Sequence, residues 1–442
     1  MKNKQRTIII IGNGIAGITC ARQIRKKDAS VAIQVISGES EYFFSRTALM
    51  YVYMGHMKYE HLKPYEDWFW EKNRIELVHD WVSHVDVDSK SLETASGQHL
   101  VYDQLVLATG SKPNKFGWPG QDLQGVQGLY SLQDLQLMEA NTKDIQTAVV
   151  VGGGLIGIEM AEMLKSRKIN VTFLVREKGF WDIVLPQEEA ELVGRHILEH
   201  GIDLRLETEL KEIVGDIGGK VNAVITQQGE IIDCDFVGLG VGVSPNIDFL
   251  KDSGIKTNRG VLVDEFFATS VEDIYAIGDC AEFQVPPGLN RKEIEQVWYT
   301  GRMHGETLAH NLTSSRVPYR PGVWFNSAKF FDIEYQSYGT VPNVGEEGIN
   351  SFYWEHPKGK VCFRAVYEED TGVFLGAHAF GYRLRHEFMD KAIRERWNID
   401  KVMKRLEEAD FNPEFSGKFY KDILREFRRR DQSGGVYKFK GL

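Results

Sequence analysis

An apolar, β-branched run that breaks into a turn of regularly spaced glycines occurs twice in this chain, and few folds accommodate it even once. Thr7 to Cys20 reads TIIIIGNGIAGITC, and Thr147 to Leu164 reads TAVVVGGGLIGIEMAEML. In each a buried strand ends in Gly-x-Gly-x-x-Gly, as Gly12, Gly14 and Gly17 and again as Gly152, Gly154 and Gly157. The residues that follow in the first copy, Ile15, Ala16, Ile18 and Ala21, read as the buried face of a helix, and Leu155 and Ile156 hold the corresponding cofactor-binding place in the second. Strand, glycine turn and helix N-terminus together present backbone N–H groups and the positive end of a helix dipole to a dinucleotide pyrophosphate. A side chain at the first or second glycine would block the turn or the phosphate, and one at the third would push the helix off its strand. Two copies imply two dinucleotides, one per domain.

The chain has 442 residues, too many for one hydrophobic core. Its net charge of -10 argues against nucleic acid as a partner, because phosphate binding needs a basic face. The local exception is Lys418 to Leu442, with eight Lys/Arg against three Asp/Glu, read as a solvated last helix with docking of an acidic partner as the alternative. The first strand begins at Thr7, no apolar run approaches the roughly 18 residues of a membrane span, and the cysteines (Cys20, Cys234, Cys280, Cys362) show no CxxC or CxxxxC spacing. The expectation is a cytoplasmic protein without membrane association.

Along the first domain, Val31 to Ile36 is a second buried strand, and Glu39 follows it at the place where a dinucleotide fold sets an acid for the adenosine ribose. A solvated turn acid is the alternative. Tyr42 to Trp70 carries ten aromatic residues, mostly core or interface, with some walling a flat ring. Within it Arg46 is a pyrophosphate or flavin clamp, or a surface ion pair. Ile75 to Val78 and Trp81 to Val87 read as short antiparallel strands, and Gln104 to Ala108 as a buried strand closing on Thr109-Gly110. A boundary falls in the glycine-rich stretch Gly117 to Gly128.

In the second domain, Val171 to Val175 ends in Arg176 rather than an acid, which favours the 2′-phosphate of NADPH over NADH, with Glu177 keeping NADH open. Phe236 to Val243 reads as one buried strand through Gly242, and Glu272 to Ala281 as a strand meeting Gly278-Asp279, whose acid can accept from a ribityl or ribose hydroxyl. His196-Ile-Leu-Glu-His200 formally matches HxxEH. It lies on an ordinary helix with no partner motif downstream, so the two histidines are read as surface or packing residues and no metal site is expected. From Pro318, five antiparallel strands and three helical stretches, the last over Phe419 to Arg430, make an α+β domain.

The glycine motifs, Ala108-Thr109-Gly110, Gly240-x-Gly242 before Pro245-Asn246, and Ala276-Ile277-Gly278-Asp279 follow one another as in the FAD/NAD(P)-dependent pyridine nucleotide-disulfide oxidoreductases. The chain resembles that superfamily over about residues 6 to 345. The resemblance implies an α/β protein of two Rossmann-like domains and a C-terminal α+β interface domain. FAD would be bound by 1–115 with 241–316 and NAD(P)H by 116–240, while 317–442 would form the third domain with a helical extension. FAD would lie on Gly12 to Gly17, Glu39, Arg46, Ala108 to Gly110 and Asp279, with Gly242 and Gly278 also among the cofactor-binding residues. NAD(P)H would lie on Gly152 to Gly157, with Glu159 near the nicotinamide and Arg176 at the adenosine ribose. The helix after Val297 and Trp298 would aim its N-terminus at the flavin, where negative charge appears on reduction.

Where family members carry redox cysteines, between Phe43 and Met50, the sequence reads FFSRTALM, with Arg46 at the single-cysteine place. That removes a thiol relay and resembles the ferredoxin and rubredoxin reductases and the flavin domain of nitrite reductases. Tyr51 stands where ferredoxin reductases often have a Lys. The resulting expectation is an FAD-dependent NAD(P)H oxidoreductase passing electrons from the flavin to a small redox protein, with Glu159, Arg46 and Trp298 at the reacting centre. Oxidase, quinone or dye reductase activity is the alternative, as is an apoptosis-inducing-factor-like flavoprotein whose redox state controls partner binding. The resemblance of the C-terminal domain to the family's interface domain implies a homodimer, with a face for a partner protein as the alternative.

Overall fold

In the computed structural model, residues 5–288, 291–412, 414 and 417–432 are described; residues 433–442 of the basic tail fall outside them. The helices that position the site are, in chain order, α1 (Ile15–Lys27), α2 (Leu132–Asn141), α3 (Leu155–Ser166), α4 (Gln187–Glu199) and α5 (Trp298–Thr313). Two compact units form, one of 1–117, 121–144 and 241–321, the other of 118–120, 145–240 and 322–442.

The first unit is built on a parallel sheet in the order Ile274–Ala276, Gln104–Leu107, Thr7–Ile11, Ala32–Ile36, Ile75–Val78. The isoleucine run at the centre is sealed from water, with Ile8, Ile9 and Ile10 fully buried between α1 and the opposite face. Ile75–Val78 is a parallel edge strand, not an antiparallel one, because the long Ser37–Arg74 crossover returns the chain to the same end of the sheet. The Val82–Asp86, Ser91–Thr94 and His99–Val101 strands are antiparallel as expected. The aromatic segment is mainly core: Phe43, Phe44, Tyr53 and Trp70 are buried, and Tyr65 stacks on Phe69, while Trp68 stands out in solvent.

The second unit repeats the arrangement with Asp203–Arg205, Asn170–Leu174, Thr147–Val151 and Phe236–Leu239 in parallel. Its antiparallel sheet over Leu210–Gly215, Val221–Thr226 and Ile231–Asp233 had no sequence expectation. The run read as one strand from Phe236 to Val243 is split. Phe236–Leu239 belongs to this sheet, whereas Val243–Pro245 pairs antiparallel with Ser111–Pro113 in the first unit. The break falls at Gly242, whose φ of +86° no strand accommodates. Likewise Glu272–Ala281 is not one strand, because Gly278 at φ +73° turns the chain after Ala276.

The C-terminal sheet is antiparallel in the order Phe325–Phe330, Ile333–Gly339, Phe374–Phe380, Cys362–Glu368, Ile349–Glu355, with helices at His386–Arg394, Ile399–Lys404 and Phe419–Gln432. It belongs to the same compact unit as the second parallel sheet. Buried Arg364 donates to Glu189 at 2.6 and 2.8 Å and to Glu188 at 2.7 Å, joining the sheet to the first turn of α4. Residues 121–144 belong to the first unit. Ser131 and Asp134 cap α2 reciprocally, and Tyr53 and Thr142 share a 2.6 Å hydrogen bond.

Candidate functional site

The two glycine turns have the same anatomy. Gly12 at φ +111° crosses so close to the neighbouring strand that a Cβ would lie 2.1 Å from the Ala108 carbonyl oxygen. A Cβ on Gly17 or Gly157 would lie 2.1 Å from the carbonyl oxygen of Gly12 or Gly152, so both positions hold a helix against its strand. Gly14 and Gly154, the N-caps of α1 and α3, differ: a Cβ there meets nothing within 4 Å. Neither helix has a side-chain cap or an acid in its first turn. Uncapped N–H groups around Ile15 and Ala16, and around Leu155 and Ile156, thus face open space on a positive dipole, which fits a pyrophosphate in both places.

Around the first cradle the fold gathers most of the residues singled out in the sequence. Ala108, Thr109 and Gly110 follow the strand beside Gly12, and Thr109 Oγ1 donates to the Asn246 carbonyl at 2.7 Å. A Cβ on Gly278 would lie 2.9 Å from Ala16 Cβ, and one on Gly301 would lie 3.2 Å from Ile15 Cγ2. Helix α5 therefore lies tight against α1, with Val297 as its N-cap and Trp298 as its first residue. Gly242 sits in the turn whose carbonyl accepts from Asn114 N.

Arg46 and Glu39 are placed against each other. The guanidinium donates to both carboxylate oxygens at 2.7 and 2.6 Å and to the Tyr130 carbonyl at 2.7 Å, and it stacks 4.4 Å from the Tyr130 ring centroid. Burial alone would lower the Arg46 pKa, but the Glu39 carboxylate outweighs it and the guanidinium stays charged. Tyr130 Oη donates to Asp279 Oδ2 at 3.2 Å, as does Ser111 Oγ at the same distance. Burial pushes the Asp279 carboxyl up, and those two hydrogen bonds oppose it. Tyr130 and Ser111 escaped the sequence reading. The usable signal was an aromatic residue directly ahead of the Ser131-x-x-Asp134 cap.

In the second unit Glu159 projects from the second turn of α3, where burial and then Glu162 raise its carboxyl to about 7. Arg176 follows the Asn170–Leu174 strand as expected, largely exposed, and its Nε donates to Glu177 at 2.6 Å. The four cysteines are free and buried. Burial raises every thiol, Cys234 to about 12, so none supplies a thiolate at neutral pH.

Two parallel-sheet domains, each opening on a cradle of uncapped N–H groups, with a C-terminal antiparallel sheet, define a two-dinucleotide flavoprotein reductase fold. The model of the pyridine nucleotide-disulphide oxidoreductases matches residues 6–305, and the chain belongs to that family. It is 31% identical over 428 residues to the assimilatory nitrate reductase electron transfer subunit of Bacillus subtilis, covering 95% of this chain and 53% of that protein. It is 36% identical over 358 residues to an NADH oxidase of Methanocaldococcus jannaschii, covering 78% and 76%. A ferredoxin reductase structure from Rhodopseudomonas palustris shares the fold with a TM-score of 0.78 at 24% identity, covering 85% and 91%. The chain spans about half the length of the first curated relatives it matches, 53% and 42%. Among the described residues no helix is long and apolar enough to cross a membrane.

Proposed function

We propose that the chain is an FAD-dependent NAD(P)H oxidoreductase that delivers electrons from its flavin to a small redox protein of rubredoxin or ferredoxin type, with no cysteine in the path. The observation that carries this reading is the state of the sulfurs. All four are buried and held as thiols, and none lies between Phe43 and Met50, where Arg46 stands. Bound FAD would supply the conversion of the electron pair of one hydride into single electrons.

The chain's own residues bind, orient and balance charge. N–H groups at Ile15 and Ala16 receive one pyrophosphate, and Arg46, already locked by Glu39 and stacked on Tyr130, stands beside it as a fixed cation. Asp279, held by Ser111 and Tyr130, accepts from a ribityl hydroxyl. The N-terminus of α5 at Trp298 offers its dipole to the electron-rich side of the flavin. N–H groups at Leu155 and Ile156 receive the second pyrophosphate, Glu159 orients the nicotinamide amide, and Arg176 contacts a 2′-phosphate, favouring NADPH over NADH. The match to an electron transfer subunit over nearly the whole chain supports a protein acceptor. The shorter match to an NADH oxidase supports oxygen as the rival acceptor.

The test is anaerobic reduction with NADH and NADPH in parallel, followed by stopped-flow mixing with rubredoxin, ferredoxin, a quinone or oxygenated buffer. Reoxidation by a redox protein within a second, faster than by oxygen, is expected. Failure of every redox protein alongside rapid oxygen consumption would replace this reading with an oxidase.

A further inference from the structure

The His196-x-x-x-His200 pair carries more than packing. We propose that His196, His200 and Asp332 form a zinc-type divalent cation site that clips α4 to the turn between the Phe325–Phe330 and Ile333–Gly339 strands. On a helix, residues four apart share a face, and here both Nε2 atoms converge, 3.2 Å from each other. Asp332 Oδ1 meets them at 2.5 Å from His196 and 3.3 Å from His200. Two of these separations match the edge of about 3.3 Å that tetrahedral ligands make around Zn²⁺ at about 2.0–2.1 Å. The third reaches that edge when the exposed Asp332 carboxylate moves by about 0.8 Å.

The surroundings fix the ligand atoms. His196 Nδ1 lies 3.3 Å from Glu199 Oε2, the kind of carboxylate partner that orients a metal-bound imidazole from its other ring nitrogen. His196 Nε2 faces Asp332 Oδ1 at 2.5 Å, and His196 is only 2% exposed, so packing holds its imidazole in place for an ion shared with the carboxylate. Lys360 Nζ takes the other Asp332 oxygen at 3.2 Å, directing Oδ1 inward while opposing a cation by its charge. The Phe331 ring stacks on His200 at 4.2 Å and fixes the imidazole plane. Asp332 and His200 open to solvent, giving the ion an entry path and leaving the fourth position to water. All three ligands lie in one compact unit, and because the ion would join α4 to the hairpin turn at Asp332, the role is structural.

The test uses the full-length, FAD-loaded protein stripped with EDTA and titrated calorimetrically with Zn²⁺. One equivalent binds, and the melting temperature rises with zinc concentration. Asp332→Asn and His200→Gln each weaken binding at least tenfold while keeping the flavin content and the metal-free melting temperature. Lys360→Met tightens it. If the wild type shows no stoichiometric binding, or if Asp332→Asn binds zinc like the wild type, there is no site. If Asp332→Asn lowers the metal-free melting temperature and zinc shifts neither protein, the cluster is an imidazolium–carboxylate pair and the proposal fails.

Discussion

Arg46 grips Glu39 through both of its carboxylate oxygens, so the start of the aromatic segment is bound to the turn after the second strand. Stacking on Tyr130 extends this contact to the Asp279 cluster. One guanidinium thus organises three segments far apart in sequence.

Removing it should loosen the flavin more than the fold. Charge-assisted hydrogen bonds contribute about 1.5–3 kcal/mol, so Arg46→Ala should raise the Kd for FAD roughly ten- to hundredfold. The flavin-to-protein ratio after dialysis measures it. A ratio equal to wild type would leave the pair as surface decoration.

The two roles of glycine in the first cradle separate cleanly. Gly12→Ala drives a Cβ to 2.1 Å from a backbone oxygen at an unfavourable φ, so it should lower thermal stability even without FAD. Gly14→Ala meets nothing in the protein and should leave the flavin-free melting temperature unchanged while lowering FAD affinity. Equal losses of stability in both variants would show that Gly14 does not face a ligand.

Arg176 is exposed and paired with Glu177. Arg176→Ala should raise the KM for NADPH about tenfold, leaving that for NADH little changed. Steady-state kinetics with both nucleotides decides it, and parallel changes would remove the 2′-phosphate assignment.

Glu159 holds a proton in the folded chain up to about pH 7 that the unfolded chain releases near 4.5. Its contribution to stability therefore falls as pH rises across that window. Glu159→Gln should match wild type below pH 4.5 and gain melting temperature relative to it as pH climbs to 7. A constant difference across the window would refute the raised carboxyl.

Buried Arg364 is the counter-charge of buried Glu189. Burial by itself would raise that carboxyl, but Arg364 and His378 hold it at about 2. Stability from Glu189 is thus full above 4.5 and lost as pH falls toward 2. Arg364→Met should cost about 3–5 kcal/mol at neutral pH by urea unfolding, and pairing it with Glu189→Met should restore most of that.

Much of this was legible in the chain because its signals are local. A β-branched run needs burial and Gly12 needs a positive φ; neither depends on distant residues. Gly14 and Gly154 were likewise legible, since a helix N-terminus without a capping side chain is a sequence property. What the tertiary structure decided involves partners brought together by the chain's path. Ile75–Val78 became parallel because of where its crossover returns, and Gly242 divided one apolar run between two units. Tyr130 reached Asp279 across 149 positions. The His196/His200 pair took on meaning only when Asp332 arrived from a hairpin over a hundred residues later. Pairwise chemistry of this kind depends on distances in space, and spacing along the chain encodes such distances only within a single helix, strand or turn.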